Sequence, residues 1–470
     1  MAISTRLEVD ARSPGISYQE LLDTDTRPVP DVLRLESPRF LGSGDIPVER
    51  YTSAAWHQRE VERLWSRVWQ FACRDEDIPE PGDYIVYEIA TMSFLVVRTE
   101  DGGISAYPNA CLHRGRRLKD YNGHCDELRC PFHGFAWRLD GSLLDVPARW
   151  DFPHVDAGFG LPTVAVGTWA GFVFINPDPG AAPFADYVRE LADQFTVWDL
   201  AGYAKQAHVA KVIHANWKVA QEAFCEAFHV NATHPQVLAY LGDTNSQIDI
   251  WENCARVITP GGTPSPLLGE PPSQDDMLRA LLDVRIGEEL PMTVGEKGTM
   301  REVAADMARD KWRPVLGDRV DEISDAELMD SIDYTLFPNF HPWGALNRIV
   351  YRFRPNRDDH RSSIMEVLFL APFVGQRPER VPVHWLNDDE PWTNAPELGM
   401  LGKVFDQDVF NMASVQLGLE ATYRSGVTLG IYQESKVRWL HQKLTEWVEG
   451  PAAEIHGIDG IDGINGSEAS

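Results

Sequence analysis

Residues 216–235 read NWKVAQEAFCEAFHVNATHP, and the fold hangs on how that stretch is read. The run predicts a helix carrying Glu222, Glu226 and His229, which at 100° per residue fall within about 60° of one another on the wheel. Ala220, Ala223, Phe224 and Ala227 fall on the far side, a small-residue stripe suited to close packing. Charged groups tend not to be buried unless paired or bound to metal. His229 and His234 are five apart, too far round for one helix face. The chain therefore has to bend at Asn231-Ala232-Thr233 for both rings to meet one ion, and Pro235 blocks simple continuation. Two imidazoles plus one carboxylate, with positions left open, are the ligands of a non-haem Fe(II) oxygenase. The alternative is a helix end bearing hydrogen-bonded surface histidines.

Around this stretch lie 470 residues, enough for roughly two or three domains. At 43% hydrophobic and 24% charged, the composition is that of a soluble globular protein. No apolar run approaches a membrane span, and the first ten residues lack a signal peptide's apolar core. A cytoplasmic protein without a membrane partner is expected. A net charge of −28 argues against a nucleic-acid surface. Six cysteines (Cys73, Cys111, Cys125, Cys130, Cys225 and Cys254) are expected as free thiols or metal ligands rather than a disulfide framework.

In chain order, residues 1–45 lack periodicity and read as an extended arm, ordered against a neighbouring subunit. Residues 54–71 predict a helix, with Val61, Leu64, Trp65 and Val68 at i, i+3, i+4 and i+7. Short β-like runs follow at 84–89, 93–98 and 104–107, separated by Gly-rich turns, as in a small antiparallel β domain. Residues 171–176 close it with one more strand. Residues 260–330 are rich in Pro, Gly and acids, with helical pieces near 274–285 and 297–312. They read either as a lid over a pocket mouth or as a solvent-facing elaboration. Strands are predicted at 347–353 and 363–371 across a polar turn, with Ile349, Tyr351 and Phe353 on one buried face. A last amphipathic helix covers 433–449, and Gly450-Pro451 ends it.

The small β domain carries Cys111-Leu112-His113 and, further on, Cys130-Pro131-Phe132-His133. Zinc could take two thiolates and two imidazoles, but its usual spacing separates paired cysteines from paired histidines. Here each loop offers one of each. One iron can then take both thiolates and a second iron both imidazoles, the ligand set of a Rieske [2Fe–2S] centre.

Cys-x-His-Arg-Gly at 111–115, Cys-Pro-Phe-His-Gly-Phe-Ala-Trp at 130–137, Asn-Trp-Lys at 216–218 and Glu-x-x-His-x-x-x-x-His at 226–234 come in that order. Together they resemble the catalytic α subunit of Rieske non-haem iron ring-hydroxylating oxygenases, over residues 46–447. Respiratory Rieske proteins carry an extra cysteine pair at places held here by Arg116 and Phe132, so a lower potential is expected. The resemblance implies an α+β chain. Its parts would be an arm (1–45), an entry helix (46–80), a Rieske domain (81–176), a helix-grip catalytic domain (177–449, with the 260–330 insertion) and a disordered tail (450–470).

The third iron ligand is sought in a predicted helix spanning 404–416. On its wheel Asp408 shares a stripe with Val404, Asn411, Met412 and Val415, whereas Asp406 points the other way and suits a surface i,i+4 pair. The stripe selects Asp408, and the family pattern agrees. The resemblance makes Glu226 the carboxylate that links the iron ligands to a cluster histidine, here His133, on the adjacent subunit. It leaves Glu222 either near the metal or, as preferred here, hydrogen-bonded to a group behind a ligand.

The reaction implied is reductive O₂ activation at Fe(II) held by His229, His234 and Asp408, with electrons delivered singly by the cluster. No Gly-rich dinucleotide fingerprint is present, so NAD(P)H is used by a partner reductase, with or without a ferredoxin. The resemblance brings cluster and iron close only across a head-to-tail homotrimer contact, with or without a β subunit. Arg114, Arg116, Arg117 and Lys119 could dock an acidic electron donor or simply structure the cluster loop. Phe224, Phe228, Val237, Leu238 and Leu241 are expected to line an apolar pocket for a hydrophobic aromatic substrate, with core packing as the alternative. Cis-dihydroxylation is the first choice of outcome and monooxygenation or O-demethylation the second. A non-catalytic electron-transfer protein is a rival of another class, and it would not need all three iron ligands.

Overall fold

β-forming side chains fill the first strand of the small domain, Asp83–Ile89, which pairs antiparallel with Met92–Arg98, itself paired with Ile104–Pro108. The computed structural model describes residues 12–450 apart from 14, 286, 296, 297 and 374, so the predicted tail from 451 onward lies outside the described residues. A second ladder joins Leu128–Arg129, Ala136–Trp137 and Leu143–Asp145, and it carries the second cysteine loop.

The predicted 54–71 helix is shorter than its periodicity. It runs Ala54–Glu60, widens into a π turn at Val61–Trp65, and gives way to a strand at Gln70–Arg74. Val61, Leu64, Trp65 and Val68 are all buried as expected. The chain nonetheless leaves the helix because strand Gln70–Arg74 pairs with Phe172–Asn176, burying every residue of both strands. One packed cluster then joins Trp56 and Trp65 to Ile85, Val173, Trp217 and Trp439, so the small and large parts share a core.

In the large part, Tyr203–Ile213, Asp359–Pro372 and Ile349–Asn356 form a long antiparallel sheet, extended by His341–Pro342 on one side and by a short parallel strand, His384–Trp385, on the other. The polar turn is only Arg357-Asp358, because pairing continues to Asn356↔Asp359. Both faces of Ile349–Asn356 are covered rather than one. Ile349, Tyr351 and Phe353 pack under the helices, Val350 packs on the other side, and Arg352 is buried against Glu366 at 2.7 Å. A second sheet, Gln247–Ile250, Cys254–Thr259 and Ser331–Leu336, joins the first through bridges Asp333↔Trp343 and Leu336↔Phe340. Helices Trp217–Glu222, Leu401–Ala421 and Ser435–Val448 lie against these sheets, giving the α+β arrangement.

The described part of the amino-terminal arm packs on its own chain. Tyr18, Leu22 and Leu33 enter the core, Thr26 donates to Asp325, and Arg301 bridges Asp25 and Asp330. Its anchors are single residues spaced irregularly, which a periodicity search does not see. The insertion supplies helices Gln274–Leu281 and Met300–Leu316, and residues 280–283 line the large cavity described below. No helix among the described residues is long and apolar enough to cross a membrane.

Candidate metal centres

The helix that opens the 216–235 stretch ends at Glu222. Asn216 caps it by accepting from the Lys218 N–H, while Trp217 and Lys218 both reach the buried carboxylate of Glu60, Lys218 Nζ at 2.6 Å. Asn-Trp-Lys is thus an anchor. Residues 223–229 are turns, and a single helical turn, Val230–Thr233, separates His229 from His234. The predicted continuous helix and the predicted bend at 231–233 are both corrected. The break falls earlier because the Glu226 carboxylate accepts from the His229 backbone N–H at 2.9 Å and lies 2.7 Å from His229 Nδ1. Glu222, left behind on the helix, turns to His441 Nε2 at 2.7 Å and to the Tyr51 hydroxyl at 3.2 Å.

Across from this turn, Leu401–Ala421 presents Asp408, 3% exposed, and Met412 inward. Val415 is exposed, so the predicted stripe is narrower than its wheel. Asp406 is no surface partner: it accepts from the backbone N–H of Trp392 at 2.6 Å and from Thr393. Asp408 Oδ1 lies 2.8 Å from His234 Nε2 and 3.6 Å from His229 Nε2. One donor atom from each of His229, His234 and Asp408 falls within 4.8 Å of the others, the one such cluster among the described residues. A carboxylate or amide oxygen can only accept, so Nδ1 of each ring donates outward, while Nε2 of each faces Asp408 at the centre, where a bound metal would take its lone pair. Glu226 does this for His229, and Gln407 Oε1, 2.8 Å from His234 Nδ1, does it for His234. Gln407 was missed in the sequence, as was its own partner Gln236 at 2.9 Å. Burial disfavours a charged His229, but the bond to Glu226 and the charges of Glu226 and Asp408 outweigh it and raise its pKa.

The centre opens on a cavity of about 1190 Å³ lined by Phe224, Val237, Leu241, Trp343, Tyr351 and Phe405 among others. Of the expected lining residues, Phe228 is instead exposed and Leu238 packs with Ala227 and Val230. On its other side a chamber of about 190 Å³ is walled by Glu222, Glu226 and Glu434.

The two cysteine loops of the small domain have one hydrogen-bond pattern. Cys111 N–H donates to Arg116 O and Gly115 N–H returns to Cys111 O, while Cys130 N–H donates to Phe135 O and Gly134 N–H returns to Cys130 O. Gly115 and Gly134 take φ of 71° and 81°, which lets each loop fold back. Both thiols are buried, and burial, with Cys130 adding to it, raises the Cys111 pKa. The rings of His113 and His133 are 4.6 Å apart, and His113 Nδ1 is buried without a partner. No three of these four donors lie within 4.8 Å of one another, as one tetrahedral zinc would need. The spread and the unpartnered nitrogen fit a two-iron cluster. The neighbouring basic residues are spent locally: Arg116 pairs with Asp120, Arg117 with Glu88, and Arg114 lies over Phe132.

Comparison with known proteins places this geometry. Residues 198–450 match the family model for the ring hydroxylating alpha subunit (catalytic domain), and residues 68–156 match the Rieske [2Fe-2S] domain. The chain belongs to the ring-hydroxylating alpha subunit family, whose cofactors are a Rieske [2Fe–2S] cluster and a mononuclear iron. It is 35% identical over 191 residues to the chlorobenzene dioxygenase subunit alpha of Cupriavidus sp. (strain PS12), covering 39% of this chain and 42% of that one. It is 30% identical over 202 residues to the glycine betaine monooxygenase oxygenase subunit of Chromohalobacter salexigens, covering 42% and 44%. The matches therefore span about half or less of these curated relatives' length. In fold it is similar to naphthalene 1,2-dioxygenase from Rhodococcus sp. bound to indole, with a TM-score of 0.60, 20% identity, and coverage of 87% of this chain and 95% of that one.

Proposed function

We propose that the chain is the terminal oxygenase component of a multicomponent system, using O₂ and reductant to hydroxylate a hydrophobic aromatic molecule, with cis-dihydroxylation as the first outcome. The observation that carries this reading is the convergence of His229 Nε2, His234 Nε2 and Asp408 Oδ1 at the wall of a large cavity with an aromatic lining. In this reading His229, His234 and Asp408 hold the mononuclear iron, and Cys111, Cys130, His113 and His133 hold the cluster. When bound, the two groups supply O₂ reduction and single-electron transfer. The chain's own residues do the rest. Glu226 and Gln407 fix the ring orientations, Phe224, Tyr351 and Phe405 hold a ring face, and residues 280–283 of the insertion cover the mouth.

The cluster loops sit at the surface, with His113 and His133 part-exposed and Phe132 57% exposed. That exposure supports electron entry from a reductase or ferredoxin, and a homotrimer in which His133 meets Glu226 of the next subunit. Monooxygenation is the second reading, favoured by the likeness to a glycine betaine monooxygenase subunit. Purified protein with Fe(II), a reductase, NADH and a panel of aromatics and quaternary amines, its products identified by mass spectrometry, tests both. Asp408→Ala should keep cluster absorbance and abolish product; product that persists would show that Asp408 is not a ligand.

A further inference from the structure

Two walls of the large cavity start at a candidate iron ligand and run away from it. On helix Leu401–Ala421, Asp408, Phe405, Val404 and Leu401 line it at the spacing of a single helix face. At a rise of about 1.5 Å per residue, Leu401 lies about 10 Å along the axis from Asp408. The second wall runs from His234 through Val237 to Leu241 in successive tight turns, with the Leu241 N–H donating to Val237 O at 2.9 Å.

The two ends differ in chemistry. Beside the ligands the lining is aromatic: Phe224 lies 4.8 Å from Tyr351, and Phe405 lies 5.9 Å from it, centroid to centroid. Farther out, the insertion takes part. Its Leu281 and Leu282 line the cavity with Tyr240, and all three pack on one cluster with Met277 and Leu278. Leu281, Leu282, Leu401 and Val404 are only half-buried, so apolar area is left for a bound molecule to cover. The volume of about 1190 Å³ matches this reach. It lies above the range of about 300–1,000 Å³ that holds drug-sized molecules. A single ring at the aromatic end would fill a small part and leave the outer leucines wet.

We infer that the outer end is a second apolar subsite, built by the insertion and the start of helix Leu401–Ala421, and that the cavity takes an extended multi-ring molecule. Its reacting ring lies on Phe224, Tyr351 and Phe405, and its far ring lies against the leucines, which makes Leu281 and Leu401 specificity-determining. The inference rests on the cavity being the substrate site. A small quaternary amine has too little apolar surface to cover these leucines.

Equilibrium dialysis of toluene, naphthalene, phenanthrene and tetramethylammonium against the purified protein tests it without turnover. Each added ring should tighten binding at least about fivefold, as burial of its apolar area would give. Tetramethylammonium should bind more weakly than any of the hydrocarbons. Leu281→Trp and Leu401→Trp each put an indole into the outer end. At least one folded variant should bind phenanthrene about tenfold or more weakly, while toluene affinity changes less than about twofold. The ladder in the unaltered protein stands as a test even if neither variant folds. A third ring that adds nothing, toluene weakened as much as phenanthrene, phenanthrene affinity unchanged in both folded variants, tightest binding of the amine, or no binding of any probe would overturn the inference. Absence of oxygenated product alongside the expected ladder would count against the proposed reaction alone. Product from toluene alongside a ladder that stops at one ring would count against the outer subsite alone.

Discussion

Glu226 and Gln407 each take the Nδ1–H of one imidazole, which turns Nε2 of both rings toward Asp408. Such partners orient a ligand without touching the metal, and their loss typically costs about 10–100-fold in metal affinity. Gln407→Leu should therefore lower iron affinity by about that factor in a chelator competition, with cluster absorbance unchanged. Asp333 gives a pH test. Burial outweighs Lys436 and lifts its pKa from 3.8 to about 6, and burial lifts Asp25 to about 6 as well. A carboxyl whose pKa is higher in the folded than in the unfolded chain favours folding while protonated, below 3.8, and that contribution is lost as pH climbs toward 6. The unfolding temperature of the unaltered protein relative to Asp333→Asn should accordingly fall across this window; a rise would contradict it. At this scale the donors were legible because cysteine, histidine and aspartate announce themselves by type and spacing. Gln407 and Asp333 were not, since a neutral amide beside Asp408 and an acid in an apolar strand acquire their roles only from what the fold sets against them.

Among elements, the Asn216-Trp217-Lys218 corner shows how a functional loop is held. Glu60 receives Trp56 Nε1, Trp217 Nε1 and Lys218 Nζ, all of them buried. Removing one partner of a buried pair costs about 3–5 kcal/mol. Glu60→Ala should lose about that much stability in denaturant unfolding, and a loss below about 1 kcal/mol would show the corner to be ornamental. The helix seen in residues 216–235 was half legible. Its capped start follows from Asn216, but its end does not follow from periodicity, because Glu226 spends its carboxylate on the His229 backbone and ring. Likewise the wheel of residues 54–71 predicted the buried positions correctly yet missed the strand at Gln70–Arg74, whose partner lies about a hundred residues on. Long-range pairing overrides local pattern in both sheet and arm.

For the molecule as a whole, two donor sets of different chemistry occupy separate parts of one chain. The thiol-bearing loops lie at the rim of the small domain, and the carboxylate-bearing site lies between the 223–234 turn and Leu401–Ala421. The order of these motifs made the family legible, whereas the cavity's lining followed from sequence neighbours only in part: Phe224, Val237 and Leu241 line it, and Phe228 and Leu238 do not. That there are two iron stations, one holding sulfide and one not, is the claim on which electron supply and oxygen chemistry both depend. Metal and acid-labile sulfide analysis of anaerobically purified protein, run beside Asp408→Ala, tests it most directly. The expected result is sulfide with iron in the ratio of one [2Fe–2S] cluster plus one further iron, the further iron alone being lost in the variant. Zinc without sulfide, or iron content that Asp408→Ala leaves unchanged, would contradict it.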